Sequence, residues 1–197
     1  MAPLRALGKP TLAPAPQAGL RCSTTKKFWR FLLPSGALPA VLHVALYQPD
    51  IAQNTGTILR LCACLGVAAH IIEPAGFPVS DRTFRRAGMD YLDQVTLRRH
   101  SSWGAFDDWR RTEGRKVALL TTHAAVSYLD HHFGAGEILL FGRESAGVPD
   151  QVHVAADARL TIPMRPGLRS LNVAMACAMV AGEALRQLGG TQSDRPA

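Results

Sequence analysis

A run of seven residues, VLHVALY at 41–47, is apolar almost without interruption, and it limits the fold more than any other feature of this chain. A strand with one wet face alternates polar and apolar residues. A continuous apolar run marks a strand covered on both faces, and such strands belong to parallel sheets. After it come the loop QPDIAQNTG, a helix TILRLCACLG ending at Gly66, and a second strand AAHIIEP at 68–74. This is a βαβ unit of about thirty residues, which implies a parallel pair joined by a right-handed crossover.

The same rhythm continues. Ser80 is placed to cap a short helix through DRTFRRAG, and QVTLR is a weak strand. Ser101 or Ser102 can cap WGAFDDWRR, where Trp103, Phe106 and Trp109 fall at helical spacing and read as core rather than as a base-stacking platform. KVALLTT (116–122), EILLF (137–141) and ARLTI (158–162) supply three more strands. The expected fold is a single α/β domain over residues 41–190, with a mostly parallel sheet of about six strands and helices on both faces.

The 197 residues, 47% of them hydrophobic, suffice for one such core. No apolar segment is long enough to span a bilayer, so no membrane is expected as a partner. The net charge of +7 is uneven: residues 1–40 hold six basic residues and no acid, leaving 16 basic against 15 acidic elsewhere. That segment, with six prolines and no apolar periodicity, reads as a disordered basic extension. It weakly resembles an organellar import sequence, although its prolines oppose a presequence helix, and the expected location is cytoplasmic. Residues 191–197 read as a flexible tail. Arg82, Arg85, Arg86, Arg98, Arg99, Arg110, Arg111, Arg115 and Lys116 are clustered, either as solvated surface or as phosphate contacts. The four cysteines lack disulfide or CxxC spacing and read as buried thiols, and the scattered histidines, His131 and His132 included, give no metal site.

Ligands of open α/β sheets bind beyond the carboxyl ends of the strands. The last three strands empty there into ALLTTH, LLFGRESAGVP and TIPMRPGLRSLN. GxGxxG after the first strand and the GxxxxGK[ST] phosphate loop are both absent, which argues against a dinucleotide or nucleoside triphosphate site. Asn54 is a good cap for the first helix, and Gly56 leaves space over Arg60, which is read equally as an ion-pair member or an anion holder. Ser170 reads as the cap of an Ala-rich helix that is apolar all round and therefore buried against something broad.

These residues carry a resemblance. NTGxxxR, LLFGxExxGxP and IPMxPxxRSxN, in that order, resemble the three motifs of the SPOUT superfamily of knotted RNA methyltransferases. LYQPDIAQNTGTILRLCACLG, HIIEPAGF, RRAGMDYLD and RSLNV are similar, more narrowly, to the small tRNA wobble-position 2′-O-methyltransferases of the TrmL type. The resemblance spans about residues 42–188 and implies a C-terminal trefoil knot, a homodimer and S-adenosylmethionine as cofactor. It implies that Leu120, Gly142 and Ile162 hold the cofactor through their backbone, with Ser170 and Leu171 closing the pocket. Arg60 and Ser170 would face the target ribose, supported by Asn54, Glu144 and Asn172. Arg82, Arg85 and Arg86 would contact RNA phosphates, and Arg165 and Arg169 the nucleotide; no metal is required. The alternatives are a ribosomal RNA substrate and a non-catalytic RNA-binding module on the same fold.

Overall fold

Seven strands form one sheet in a computed structural model that describes residues 40–80, 83–84 and 94–189. They are β1 (Leu42–Tyr47), β2 (Ala68–Ile72), β3 (Leu97–His100), β4 (Val117–Leu120), β5 (Val126–Ser127), β6 (Glu137–Phe141) and β7 (Ala158–Thr161). The helices are α1 (Ala52–Leu65), α2 (Trp103–Thr112), α3 (Asp150–Ala155) and α4 (Val173–Gln187). The sheet order is β3-β2-β1-β6-β4-β7-β5, and every neighbouring pair is parallel. The strand expected at 94–98 lies at Leu97–His100, and β5, two residues against β7, adds the seventh. Both sit at sheet edges, where an apolar run is not needed. Residues 1–39 and 190–197, together with Arg82, Arg85, Arg86 and the RRAGMDYLD stretch, lie outside the described residues.

The pleat divides the strands between two cores. Leu42, Val44 and Leu46 of β1 point with Ala69, Ile71, Leu139 and Phe141 toward α1 and α4. Ala45 and Tyr47 point with Ile72, Val117, Leu119, Ile138 and Leu140 toward α2 and α3. Phe106 is fully buried there, with Trp103 and Trp109 packed beside it. The same face buries His43, His70 and His100. His43 Nδ1 is 2.9 Å from His70 Nε2, and His70 Nδ1 is 3.0 Å from His100 Nε2. Arg110, expected in a surface or phosphate-binding cluster, is instead buried and bonded to Asp107, Asp157 and the Ala155 carbonyl, tying α2 to the end of α3.

Helix ends correct two expectations. α1 begins at Ala52 after an extended Ile51, so Asn54 lies inside its first turn and is not its cap. α4 is capped by Asn172, whose Oδ1 accepts from the N–H groups of Ala174 (2.8 Å) and Met175 (3.4 Å), two residues beyond Ser170. The longer Asn side chain reaches two of the unpaired first-turn amides from where the chain turns helical. Ser102 does cap α2, accepting from Ala105 N–H, and Gly66 ends α1 in the left-handed region at φ 67°. α4 is not buried all round: Met175 and Met179 are exposed. Cys62 and Cys177 are buried, but Cys64, on the outer side of α1, is exposed. His131 does have an acidic neighbour, Glu137 at 2.9 Å, yet no group of His, Cys, Asp or Glu among the described residues is arranged to hold a metal. No helix among them is long and apolar enough to cross a membrane.

Candidate active site

Strand register brings the post-strand loops together. Phe141 pairs with Leu46 on one side and Leu120 on the other, and Leu120 pairs with Leu160. The carboxyl ends of β1, β6, β4 and β7 therefore lie in a row, and the loops that follow them wall a cavity of about 1220 Å³. Leu120, Gly142, Ile162, Ser170 and Leu171 all line it, as do Asn54, Glu144, Asn172 and Arg169. Arg165 lies exposed in the same C-terminal loop without lining the cavity, and Arg60 lies on the exposed side of α1, also off the wall.

Gly142 is required by contact. A Cβ there would stand 2.6 Å from the carbonyl carbon and 2.8 Å from Cα of Gly147, which only a missing side chain avoids. The loop folds back tightly because Arg143 and Gly147 exchange both backbone hydrogen bonds at 2.9 Å, with Gly147 at φ 65°. Glu144 at its tip turns inward.

Three of the expected site residues form one chain of hydrogen bonds. Asn54 Nδ2 donates to Glu144 Oε1 at 3.0 Å, and Asn172 Nδ2 donates to Asn54 Oδ1 at 3.0 Å. Asp50 N–H donates to Glu144 Oε2 at 2.9 Å. α1, the loop after β6 and the start of α4 are thereby joined at the cavity wall. Each Glu144 oxygen accepts one hydrogen bond, which fixes the orientation of the carboxylate at the cavity wall.

Sequence reasoning passed over Asp50 and Arg143. Arg143 Nη2 donates to Asp50 Oδ1 at 2.7 Å, and this bond, with those from Ser145, holds the Asp50 carboxyl down at about 2. An acid in one post-strand loop and an arginine in another was the available signal. Thr121, Asp150, His153 and Arg159 also line the cavity and gave no local signal. Arg143, Arg169 and His123 add further basic or imidazole groups to a wall that is otherwise made of uncharged residues.

Residues 41–182 match the SpoU rRNA Methylase family. The chain is 68% identical over 146 residues to a tRNA (cytidine(34)-2′-O)-methyltransferase of Beijerinckia indica, covering 74% of this chain and 91% of that one. Against the protein of the same name from Escherichia coli K12 it is 43% identical over 155 residues, covering 76% and 95%. A solved structure concerned with 2-OH methylation of C/U34 on tRNA superposes with a TM-score of 0.72 at 42% identity, covering 78% of this chain and 99% of that one. The SpoU methyltransferase AviRb of Streptomyces viridochromogenes, in complex with AdoMet, superposes with a TM-score of 0.70 at 27% identity, covering 80% and 61%. With its parallel sheet, its cavity beyond the strand ends and these matches, the chain belongs to the SpoU rRNA methylase family.

Proposed function

We propose that the protein transfers a methyl group from S-adenosylmethionine to the ribose 2′-hydroxyl of the wobble nucleotide, position 34, of tRNA. The observation that carries the reading is the Glu144–Asn54–Asn172 chain set into a cavity whose other walls are post-strand loops. Leu120, Gly142 and Ile162 would hold the cofactor, with Ser170 and Leu171 over it; the close packing that excludes a Cβ from Gly142 fits a ligand lying against main chain. When bound, the cofactor supplies an electrophilic methyl group on a sulfonium sulfur. The protein's own contribution is alignment of the acceptor oxygen, which can supply a large part of such a rate enhancement.

Ser170 and Arg60 are assigned to the ribose and its surroundings. A guanidinium offers donors only and no acceptor, so Arg60 serves to position the substrate or to offset developing negative charge. Arg169, and Arg165 beside it, would contact the nucleotide, and Arg82, Arg85 and Arg86 the phosphates further out. A second copy of the chain would extend this surface: Leu171, Met175 and Met179 form an exposed apolar stripe at the start of α4 that a homodimer would cover. Light scattering at the mass of one chain would dismiss the dimer. A trefoil knot is supported by the path of the chain, which runs from β7, between β4 and β5, through residues 162–172 to α4 against α1 and the sheet centre. An experimental structure tracing an unthreaded path would dismiss it.

The test is methylation of tRNA from a strain lacking this activity, with 2′-O-methyl groups mapped by nucleotide. A product at position 34 is expected. Methylation confined to ribosomal RNA would replace the substrate assignment, and no transfer to any RNA would remove the reading.

A further inference from the structure

Asp50 stands in the turn between β1 and α1 and touches three successive residues of the loop after β6. Its Oδ1 accepts from Arg143 Nη2 (2.7 Å) and Nε (3.2 Å), and its Oδ2 accepts from the N–H of Ser145 (3.2 Å) and from the Ser145 hydroxyl. Its own N–H holds the residue between them, Glu144. We propose that Asp50 is a positioning residue for methyl transfer: by gripping both neighbours of Glu144 it sets the Glu144–Asn54–Asn172 chain and hence the shape of the acceptor side of the cavity. The proposal rests on the methyltransferase reading above.

The grip is specific to a carboxylate. Four donor groups converge on two oxygens, and an amide in the same place would turn an N–H toward one set of them. The ion pair is only partly exposed, with 20% of the Asp50 side chain and 38% of the Arg143 side chain accessible. Asp50 is also backed from behind. Gly76, in the loop after β2, donates its N–H to the Pro49 carbonyl at 2.8 Å, and a Cβ on it would lie 3.1 Å from Asp50 Cα and from the Asp50 carbonyl oxygen. The loops after β2, β1 and β6 thus lean on one another in sheet order, and the glycine of HIIEPAGF acquires a purpose: any side chain there presses on Asp50.

The experiment compares the full-length protein with D50N and G76A. For D50N, kcat for tRNA methylation should fall on the order of 10²-fold while KM for S-adenosylmethionine stays within about threefold, the pattern of a misplaced rather than an absent group. Amide exchange of Arg143, Ser145 and Gly147 should rise about tenfold with β1 and β6 unchanged, because the opening is local. G76A should move both readouts in the same direction by less. If D50N does not fold, D50E, which keeps the charge on a longer arm, is read in the same way. A kcat within twofold of wild type overturns the proposal, and so does activity lost together with protection throughout the strands in both D50N and D50E. A wild-type protein that methylates no RNA sinks the methyltransferase reading instead, and the exchange measurement still decides whether Asp50 orders the loop.

Discussion

The face of the sheet under α1 and α4 and the face under α2 and α3 share every central strand, yet they are chemically unlike. The first is mainly aliphatic under the helices: Leu59, Val180, Ala181 and Ala184 close it, and the thiols of Cys62 and Cys177 within it are pushed up by burial, Cys62 to about 12. The second buries three imidazoles in a hydrogen-bonded row against Trp109, with Arg98 over the indole at 5.1 Å and Arg115 at 5.9 Å. Desolvation holds all three imidazoles below their ordinary pKa, His43 at about 4, helped by Arg115 and Arg98 at His43, by the other two imidazoles and then the guanidiniums at His70, and by Arg98 at His100. Equal burial on two faces therefore does not mean equal response to pH: the buried thiols of one stay protonated, while the imidazoles of the other must stay neutral to stay packed.

The largest effect is expected on the aliphatic face. Leu59→Ala removes a fully buried side chain and should cost about 2–5 kcal/mol in denaturant unfolding. The cost should be the same at pH 8 and pH 5; a strong pH dependence would show that the faces are coupled. The second effect belongs to the histidine face. A folded-state pKa depressed below the unfolded 6.5 contributes stability that is complete above about pH 6.5 and declines as pH falls toward the folded value. His43 alone should forfeit on the order of 3 kcal/mol by pH 4. Urea melts at stepped pH should show this decline, and His43→Leu should make it shallower. An acid limb of the same slope in that variant would break the contrast. Smallest is Arg98→Met, which gives up a cation–π contact worth about 0.5–1 kcal/mol. It should also ease protonation of the three histidines and slightly flatten the acid limb in the same melts, since its charge lowers the pKa of each.

The central strands were legible because a doubly covered strand has to be apolar along its length, as β1, β2 and β6 are. The edges were harder to read: β5 has one exposed valine and a serine, and β3 carries Arg98 and Arg99 outward. Helix caps were misplaced, by three residues in α1 and two in α4, for one reason in both cases. Asn54 and Ser170 satisfy a local capping rule, but Asn54 is spent on Glu144, 90 residues away, and Asn172 both caps α4 and reaches Asn54 across 118 residues. Family resemblance singled out Asn54, Glu144 and Asn172 as site residues. Their order of pairing, the occupation of both Glu144 oxygens and the Asp50–Arg143 clasp became visible only when the loops were placed side by side.

By itself the sequence determined the class of fold and the edge of the sheet where chemistry should lie. Continuous apolar runs and post-strand glycines act through local rules of burial and backbone freedom, and a reader of residues can apply them. The histidine row and the Asp50 clasp were decided by tertiary structure alone, because both depend on register. His43 pairs across the sheet with Ala68 and His70 with Ala45, so the two rings meet on the diagonal, and His100 lies two residues beyond Arg98, the partner of His70. A slip of one residue would send one ring through to the aliphatic face. Nothing in the spacing of residues 43, 70 and 100 along the chain encodes that alignment; the packing of strands on one another does.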